Sequence, residues 1–117
     1  MRPLADTSHD GNVLQLDHVM RVERMAFAAK LRAARAVLGL SQDQLAHQIG
    51  LTQKSVHRIE HGDVQPKVRT ILLIERFWSE QGISFENLSN GGFRLVVDSS
   101  VLASLNDPGR PAASAAN

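Results

Sequence analysis

Two helix starts and a tight turn fall within residues 41–62 (SQDQLAHQIGLTQKSVHRIEHG), and this spacing constrains the fold more than any other feature of the sequence. Ser41 is an N-cap candidate, and Gln44 follows it at the distance of a capping box. Thr52 is the N-cap candidate of a second short helix. Gly50 lies between the two and can adopt a positive φ without steric penalty. The segment therefore predicts two short helices joined by a tight turn.

Longer helices flank this pair on both sides. Apolar residues before it recur at spacings of four, three and four, which is one face of an α-helix; they are Phe27, Leu31, Ala34 and Leu38. Asp17 is a cap candidate, so we expect this helix to reach back towards residue 18. A fourth helix is predicted from Val68 to Gln81. The residue pattern therefore predicts a mainly α chain with four helices in this order.

The two ends of the chain differ from its middle in composition. Residues 1–19 mix Pro, Asp, Ser and Gly, which predicts a flexible N-terminal arm ahead of the helical domain at 20–82. Residues 83–98 alternate around a Ser-Asn-Gly-Gly turn, which predicts a short β-hairpin, with an irregular loop as the alternative. Residues 99–117 are rich in Ala, Ser and Pro, which predicts a disordered tail.

The composition argues against most enzyme classes. The chain has 117 residues and no cysteine, which excludes disulfides, thiolate zinc sites and a cysteine nucleophile. The common nucleotide-binding, hydrolase and metalloprotease motifs are missing. His57 and His61 have a spacing that suits a metal, but no third ligand is near in sequence. We therefore expect no catalytic residue, cofactor, metal or small-molecule ligand, and a cytoplasmic protein without a membrane span or secretory signal.

The charge is unevenly distributed. Residues 21–69 carry nine Lys or Arg against four Asp or Glu, whereas the remainder carries four against eight. A basic segment of this kind indicates a polyanionic partner such as nucleic acid. The alternative is an ordinary solvated helical surface.

The stretch LRAARAVLGLSQDQLAHQIGLTQKSVHRIEHG resembles the Cro/phage-repressor-like (XRE-type) helix-turn-helix regulators. The opening LRxxRxxxGLSQxxLA and the closing IExG carry the resemblance, which extends over about Phe27 to Trp78. The stretch GISFENLSNGGFRLV is similar to the end of a bacterial subfamily in which a short hairpin follows the fourth helix. The resemblance implies a mainly α, compact lambda-repressor-like bundle of four to five helices that places its third helix in the DNA major groove.

The outward face of the third helix is the predicted reading surface, because Val56 and Ile59 point inward. The base-contacting candidates are Gln53, Lys54, His57 and Arg58. Glutamine pairs with adenine, and arginine or lysine with guanine. The alternative is an ordinary polar helix face.

A second group of residues is expected to contact the DNA backbone. These candidates are Gln42, Ser55, His61, Lys67 and Arg69. In the family that this chain resembles, the residue at the position of Gln42 contacts a phosphate, and a helix N-terminus favours such an anion. For Gln42 the alternative is a solvent-exposed side chain without a role.

The resemblance also implies a structural ion pair between Arg35 and Glu60. A guanidinium and a carboxylate suit a bidentate bridge. We expect this pair to brace the first helix against the third.

Apolar residues in excess of one small core indicate a homodimer. The expected interface consists of Leu73, Phe77, Phe85, Phe93, Leu95 and Val97. Exposed apolar stripes of this kind mark partner surfaces. In the alternative, the hairpin folds back and covers the stripe within one chain.

Three functions follow from these predictions. The first is a sequence-specific transcriptional regulator, a repressor that binds a palindromic operator as a homodimer on double-stranded DNA. The second is a DNA-binding antitoxin whose tail folds on a toxin protein. The third is a helix-turn-helix fold used as a protein-binding module, which acidic residues on the third helix would favour.

Overall fold

A computed structural model describes the backbone of residues 2–105 and, within that range, the side chains of residues 13–103 and Leu105. Its elements follow one another as five helices interrupted by one hairpin. They are α1 (Arg2–Leu38), α2 (Gln42–Ile49), α3 (Gln53–Glu60), α4 (Val68–Glu80), β1 (Ile83–Asn87), β2 (Phe93–Val97) and α5 (Ser99–Ser104). The prediction of a mainly α bundle with a C-terminal hairpin is confirmed.

Both short helices begin where the capping chemistry predicts. The backbone N–H of Gln44 donates to Ser41 Oγ over 3.0 Å, and the backbone N–H of Ser41 donates to Gln44 Oε1 over 2.8 Å, which completes a capping box. Thr52 Oγ1 accepts from the backbone N–H of Ser55 at the start of α3. Gly50 ends α2 in the left-handed conformation, with φ of 74°.

The core lies between the C-terminal half of α1 and the helices that follow. Its fully buried side chains include Leu31, Leu45, Val56 and Ile74. Ala46 is buried on α2, which packs against α3. The four helices therefore share one core, and α3 lies on it with its apolar face inward.

The hairpin packs against this core. Strands β1 and β2 are antiparallel, and Phe85 lies opposite Leu95 in the register. Trp78 contacts the rings of Phe27 and Phe85, with centroid distances of 5.6 and 4.9 Å. The hairpin prediction is confirmed, and its aromatic side chains extend the core beyond α4.

Helix α1 begins earlier than we predicted. Residues 1–19 were expected to form a flexible arm, yet α1 is continuous from Arg2 to Leu38 and 37 residues long. The physical reason lies in its apolar spacing. Val13, Leu16 and Met20 continue the line of Leu31 and Leu38 along the helix, so the helical repeat does not stop where the composition changes.

The predicted tail is also partly ordered. Residues 99–117 were expected to be disordered, but Ser99–Ser104 form α5 behind the N-cap Asp98, whose carboxylate accepts from the backbone N–H of Ser100. Val101 is 6% exposed and packs into the core. This packing keeps residues 99–104 helical, although their composition alone favours disorder. Residues 106–117 and Met1 lie outside the described residues.

Candidate nucleic-acid interface

Helix α3 presents one apolar and one polar face. Val56, Ile59 and Glu60 are buried, whereas the four candidate base-contacting residues are exposed; these are Gln53, Lys54, His57 and Arg58. The only acidic side chain of α3 is the buried one. The exposed face therefore carries amide, imidazole and cationic groups without a carboxylate.

Arg35 and Glu60 lie together as an ion pair that joins α1 to α3. Arg35 Nε and Nη2 donate to the two carboxylate oxygens of Glu60 over 2.7 and 2.9 Å. The Glu60 side chain is 1% exposed and that of Arg35 is 25% exposed. The hydrogen bond to Glu60 raises the pKa of Arg35 above its ordinary value, although burial opposes the shift. Arg35 Nη1 also donates to the backbone oxygen of Leu40, so the guanidinium is held on three sides.

Gln42 connects this ion pair to the exposed face of α3. Its Nε2 donates to Glu60 Oε1 over 3.0 Å, and its Oε1 accepts from Gln53 Nε2 over 2.8 Å. Gln42 is half-buried, which differs from the alternative of a solvent-exposed side chain without a role. A continuous chain of hydrogen bonds therefore runs from Arg35 through Glu60 and Gln42 to Gln53.

Two further arginines of α1 donate hydrogen bonds to backbone oxygens at the C-terminal end of α3. Arg24 Nε donates to the backbone oxygen of Gly62 over 2.9 Å, and Arg32 Nη1 donates to the backbone oxygen of Glu60. Cations at a helix C-terminus also interact favourably with the helix dipole. Neither contact was predicted, because backbone acceptors leave no pattern in the sequence.

The loop after α3 brings two backbone-contacting candidates and one base-contacting candidate to one groove. This groove has a volume of ≈ 270 Å³, and Ser55, Arg58 and Lys67 are among the residues that line it. Lys67 and Arg69 are exposed at the start of α4. The free cations of this region therefore lie beside the N-terminal end of α4 and the exposed face of α3.

His61 and Ser55 make local contacts. The His61 ring lies 4.0 Å from that of His57 between centroids, and its Nδ1 is 2.8 Å from the backbone oxygen of His57. Ser55 is half-buried, and its hydroxyl accepts from Thr52 Oγ1 over 2.9 Å. Among the described residues, no group of three or more His, Cys, Asp or Glu side chains is placed to hold a metal ion.

The predicted dimer residues divide into two groups. Phe77, Phe85 and Val97 pack against the core of their own chain, as the fold-back alternative anticipated. Phe93 lies 5.5 Å from Phe85 between ring centroids, and Lys30 Nζ lies over both rings. Leu73 and Leu95 remain exposed.

A comparison with protein families identifies the family to which this arrangement of helices belongs. A helix-turn-helix family model matches residues 31–77, the stretch that holds the ion pair, both capped helices and most of α4. Residues 31–77 are a helix-turn-helix domain of the Cro/phage-repressor-like (XRE) type. The predicted family is therefore confirmed. The helix-turn-helix domain belongs to a family of DNA-binding regulators.

No solved structure matches the chain. Within the described part of the chain, no helix combines the length and the apolar character needed to cross a membrane.

Proposed function

We propose that the protein is a sequence-specific transcriptional regulator of the cytoplasm that reads operator DNA with α3. The observation that carries the proposal is the exposed, carboxylate-free face of α3, together with the hydrogen-bonded chain that holds Gln53 at its start. Gln53 suits adenine, and Arg58 suits guanine, because each side chain offers a bidentate pattern in the major groove. Lys54 and His57 lie on the same face and contact either bases or phosphates.

The DNA backbone is held by groups around α3 in this proposal. Lys67 and Arg69 supply free cations, and Ser55 and His61 supply neutral polar groups beside them. Gln42 lies at the N-terminus of α2, where free backbone N–H groups favour a phosphate. These contacts set the position of the domain on the duplex, whereas the base contacts set the sequence.

We further propose that two copies occupy a palindromic operator and repress by covering a promoter. A single domain of this size contacts too few bases to specify one genomic site, and two-fold pairing doubles the number. Leu73 and Leu95 are the candidate contacts that remain exposed from the predicted interface. Phe77, Phe85 and Val97 pack against the core, and Phe93 contacts Phe85.

The two other functions have less support. An antitoxin tail needs apolar residues free to fold on a toxin, but Val101 and Leu105 pack against the core of this chain. A protein-binding module was expected to carry acids on α3, and the single acid there is paired with Arg35. DNA binding therefore accounts for more of the exposed surface than the antitoxin function or the protein-binding function does.

Selection of bound duplexes from a random DNA pool, followed by footprinting, tests the proposal. The expected result is an enriched motif with two-fold symmetry, whose half-sites lie about one helical turn apart. Recovery of unrelated sequences would contradict sequence-specific reading. An enriched motif without symmetry would leave the reading by α3 in place and would contradict the homodimer.

A further inference from the structure

Arg24 of α1 is joined to α3 through a single peptide group. Its Nε donates to the backbone oxygen of Gly62 over 2.9 Å. The N–H of the same peptide group, which belongs to Asp63, donates to the backbone oxygen of Arg58 over 3.0 Å. The Gly62–Asp63 peptide therefore lies between the guanidinium of Arg24 and the backbone of a base-contacting candidate. Arg24 precedes residues 31–77, the stretch that the helix-turn-helix family model matches.

The hydrogen bond from Asp63 is one of two that close the end of α3. In the other, the N–H of Gly62 donates to the backbone oxygen of Ile59 over 3.0 Å, and Gly62 has a φ of 69°. Together they form a Schellman motif, which ends a helix at a left-handed residue. Hydrogen bonds in series polarise one another, so a charged donor at the Gly62 oxygen strengthens the bond from Asp63 to Arg58. Arg24 therefore stabilises the last turn of α3.

Met25, the next residue of α1, packs on the same turn. A Cβ added at Gly62 would collide with Met25 Sδ, so this side chain lies directly against the Gly62 backbone. Arg24 itself is half-buried. The hydrogen bond between Arg24 and Gly62 is therefore partly shielded from water, and its loss costs more than the loss of an exposed one.

The two ends of the exposed α3 face are held by different groups. At the start of the helix, Gln53 Nε2 donates to Gln42 Oε1. In the last turn, the backbone of Arg58 is held through the peptide that Arg24 contacts. A change at Arg24 should therefore displace Arg58 more than Gln53.

We propose that Arg24 is a positioning residue for DNA reading, which holds the last turn of α3 so that Arg58 meets its base pair. The inference rests on the proposed reading of operator DNA by α3. It extends the reading unit to a residue of α1 that lies outside the matched domain, and it assigns Arg24 no contact with DNA.

Two uncharged variants test the hydrogen bond separately from the charge. Glutamine Nε2 is attached to Cδ just as arginine Nε is, so Arg24→Gln keeps an N–H donor at the same position along the side chain. Arg24→Met has a methyl group at that position and keeps the aliphatic stem. Both replacements have helix propensities close to that of arginine, so circular dichroism and thermal melting should show both variants folded. The difference between them reports the donor alone.

Affinities for operators mutated one base pair at a time give the discrimination at each position. We expect Arg24→Met to lower it about tenfold at the base pair that Arg58→Ala relaxes, since a misplaced guanidinium loses its bidentate contact. At the base pair that Gln53→Ala relaxes, discrimination should change by less than about twofold, because that side chain is held at the other end of α3. Arg24→Gln should stay within about threefold of the wild type at both positions.

Three results would overturn the positioning role. Equal losses in Arg24→Met and Arg24→Gln would assign the effect of Arg24 to its charge. A loss in Arg24→Met that is the same at both base pairs would indicate a general loosening of the fold. Unchanged discrimination in Arg24→Met would show that Arg58 needs no support from α1.

Hydrogen exchange measured by NMR without DNA separates this inference from the proposed function. The amide of Asp63 should exchange about tenfold faster in Arg24→Met than in Arg24→Gln, whereas the amide of Gln44 at the start of α2 should exchange alike in both. Equal exchange at Asp63 would overturn the positioning role even if the wild type reads its operator. Faster exchange at Asp63, together with a wild type that prefers no DNA sequence, would contradict the proposed function and with it the role of Arg24 in reading.

Discussion

Arg35 of α1 donates two hydrogen bonds, of 2.7 and 2.9 Å, to the carboxylate of Glu60 at the end of α3. Because Glu60 is almost fully buried, this is not a surface ion pair, and it fixes the position of α3 on the core. Gln42 extends the contact to Gln53, so the orientation of the exposed α3 face depends on the same carboxylate.

Removing the guanidinium should therefore be costly. Arg35→Ala leaves a buried carboxylate without its cation, and we expect a loss of about 3–5 kcal/mol in the free energy of unfolding. Arg76→Ala is the control, because the Arg76–Glu80 pair is exposed and typically contributes about 0.3–0.5 kcal/mol. Urea unfolding followed by circular dichroism measures both. Equal losses in the two variants would mean that the buried pair is not structural.

Single substitutions on α3 should relax specificity at single operator positions. Arg58→Ala and Gln53→Ala should each weaken binding to the selected operator by about 1–3 kcal/mol and leave binding to random DNA nearly unchanged. Binding titrations with operators mutated one base pair at a time locate the position that each side chain reads. Equal losses on operator and random DNA would assign the side chain to the backbone instead.

Phosphate contacts should make the affinity strongly dependent on salt. Each contact releases counterions, so binding should weaken steeply between about 50 and 200 mM salt. Lys67→Ala should weaken binding to all sequences alike and reduce the slope of log affinity against log salt by about one. Arg94→Ala removes a cation that pairs with Glu86 on the hairpin and should leave that slope unchanged. An affinity that is flat across this salt range would contradict DNA binding.

The short helix α5 should contribute to the stability of the fold. Val101 is buried, and a Cβ added at Gly82 would approach its Cγ2 to 2.4 Å. Val101→Ala should lower the free energy of unfolding by about 1.5 kcal/mol, from the loss of two buried methyl groups. Leu102→Ala, at the exposed neighbouring position, should change it by less than about 0.5 kcal/mol. If the two variants melt alike, α5 does not pack on the core.

Features set by local chemistry were predictable from the sequence. Ser41, Gln44 and Thr52 mark the starts of α2 and α3 because capping depends only on neighbouring backbone groups. The pairing of Arg35 with Glu60 was implied by the resemblance to a family and not by spacing. The contacts of Arg24 and Arg32 could not be predicted, since their acceptors are backbone carbonyls that any residue provides.

The two ends of the chain show where composition misleads. Pro, Asp and Gly in residues 1–19 favour a flexible arm, and the prediction followed this composition. The apolar residues Val13, Leu16 and Met20 are nevertheless spaced as on one face of a helix. At the other end, α5 is too short to be stable alone. Its order depends on Val101 packing into the core, a contact that no local pattern reveals.

The most direct test of DNA reading by α3 is the ratio of affinities for the selected operator and for a scrambled duplex of equal length. Fluorescence anisotropy measures this ratio for the wild type and for a variant with alanine at Gln53, Lys54, His57 and Arg58, positions whose exposed side chains leave the core intact. We expect a ratio of about 10³ or more for the wild type, which falls towards one in the variant while its melting temperature is kept. A wild type without preference, or a variant that keeps the preference, would contradict the account.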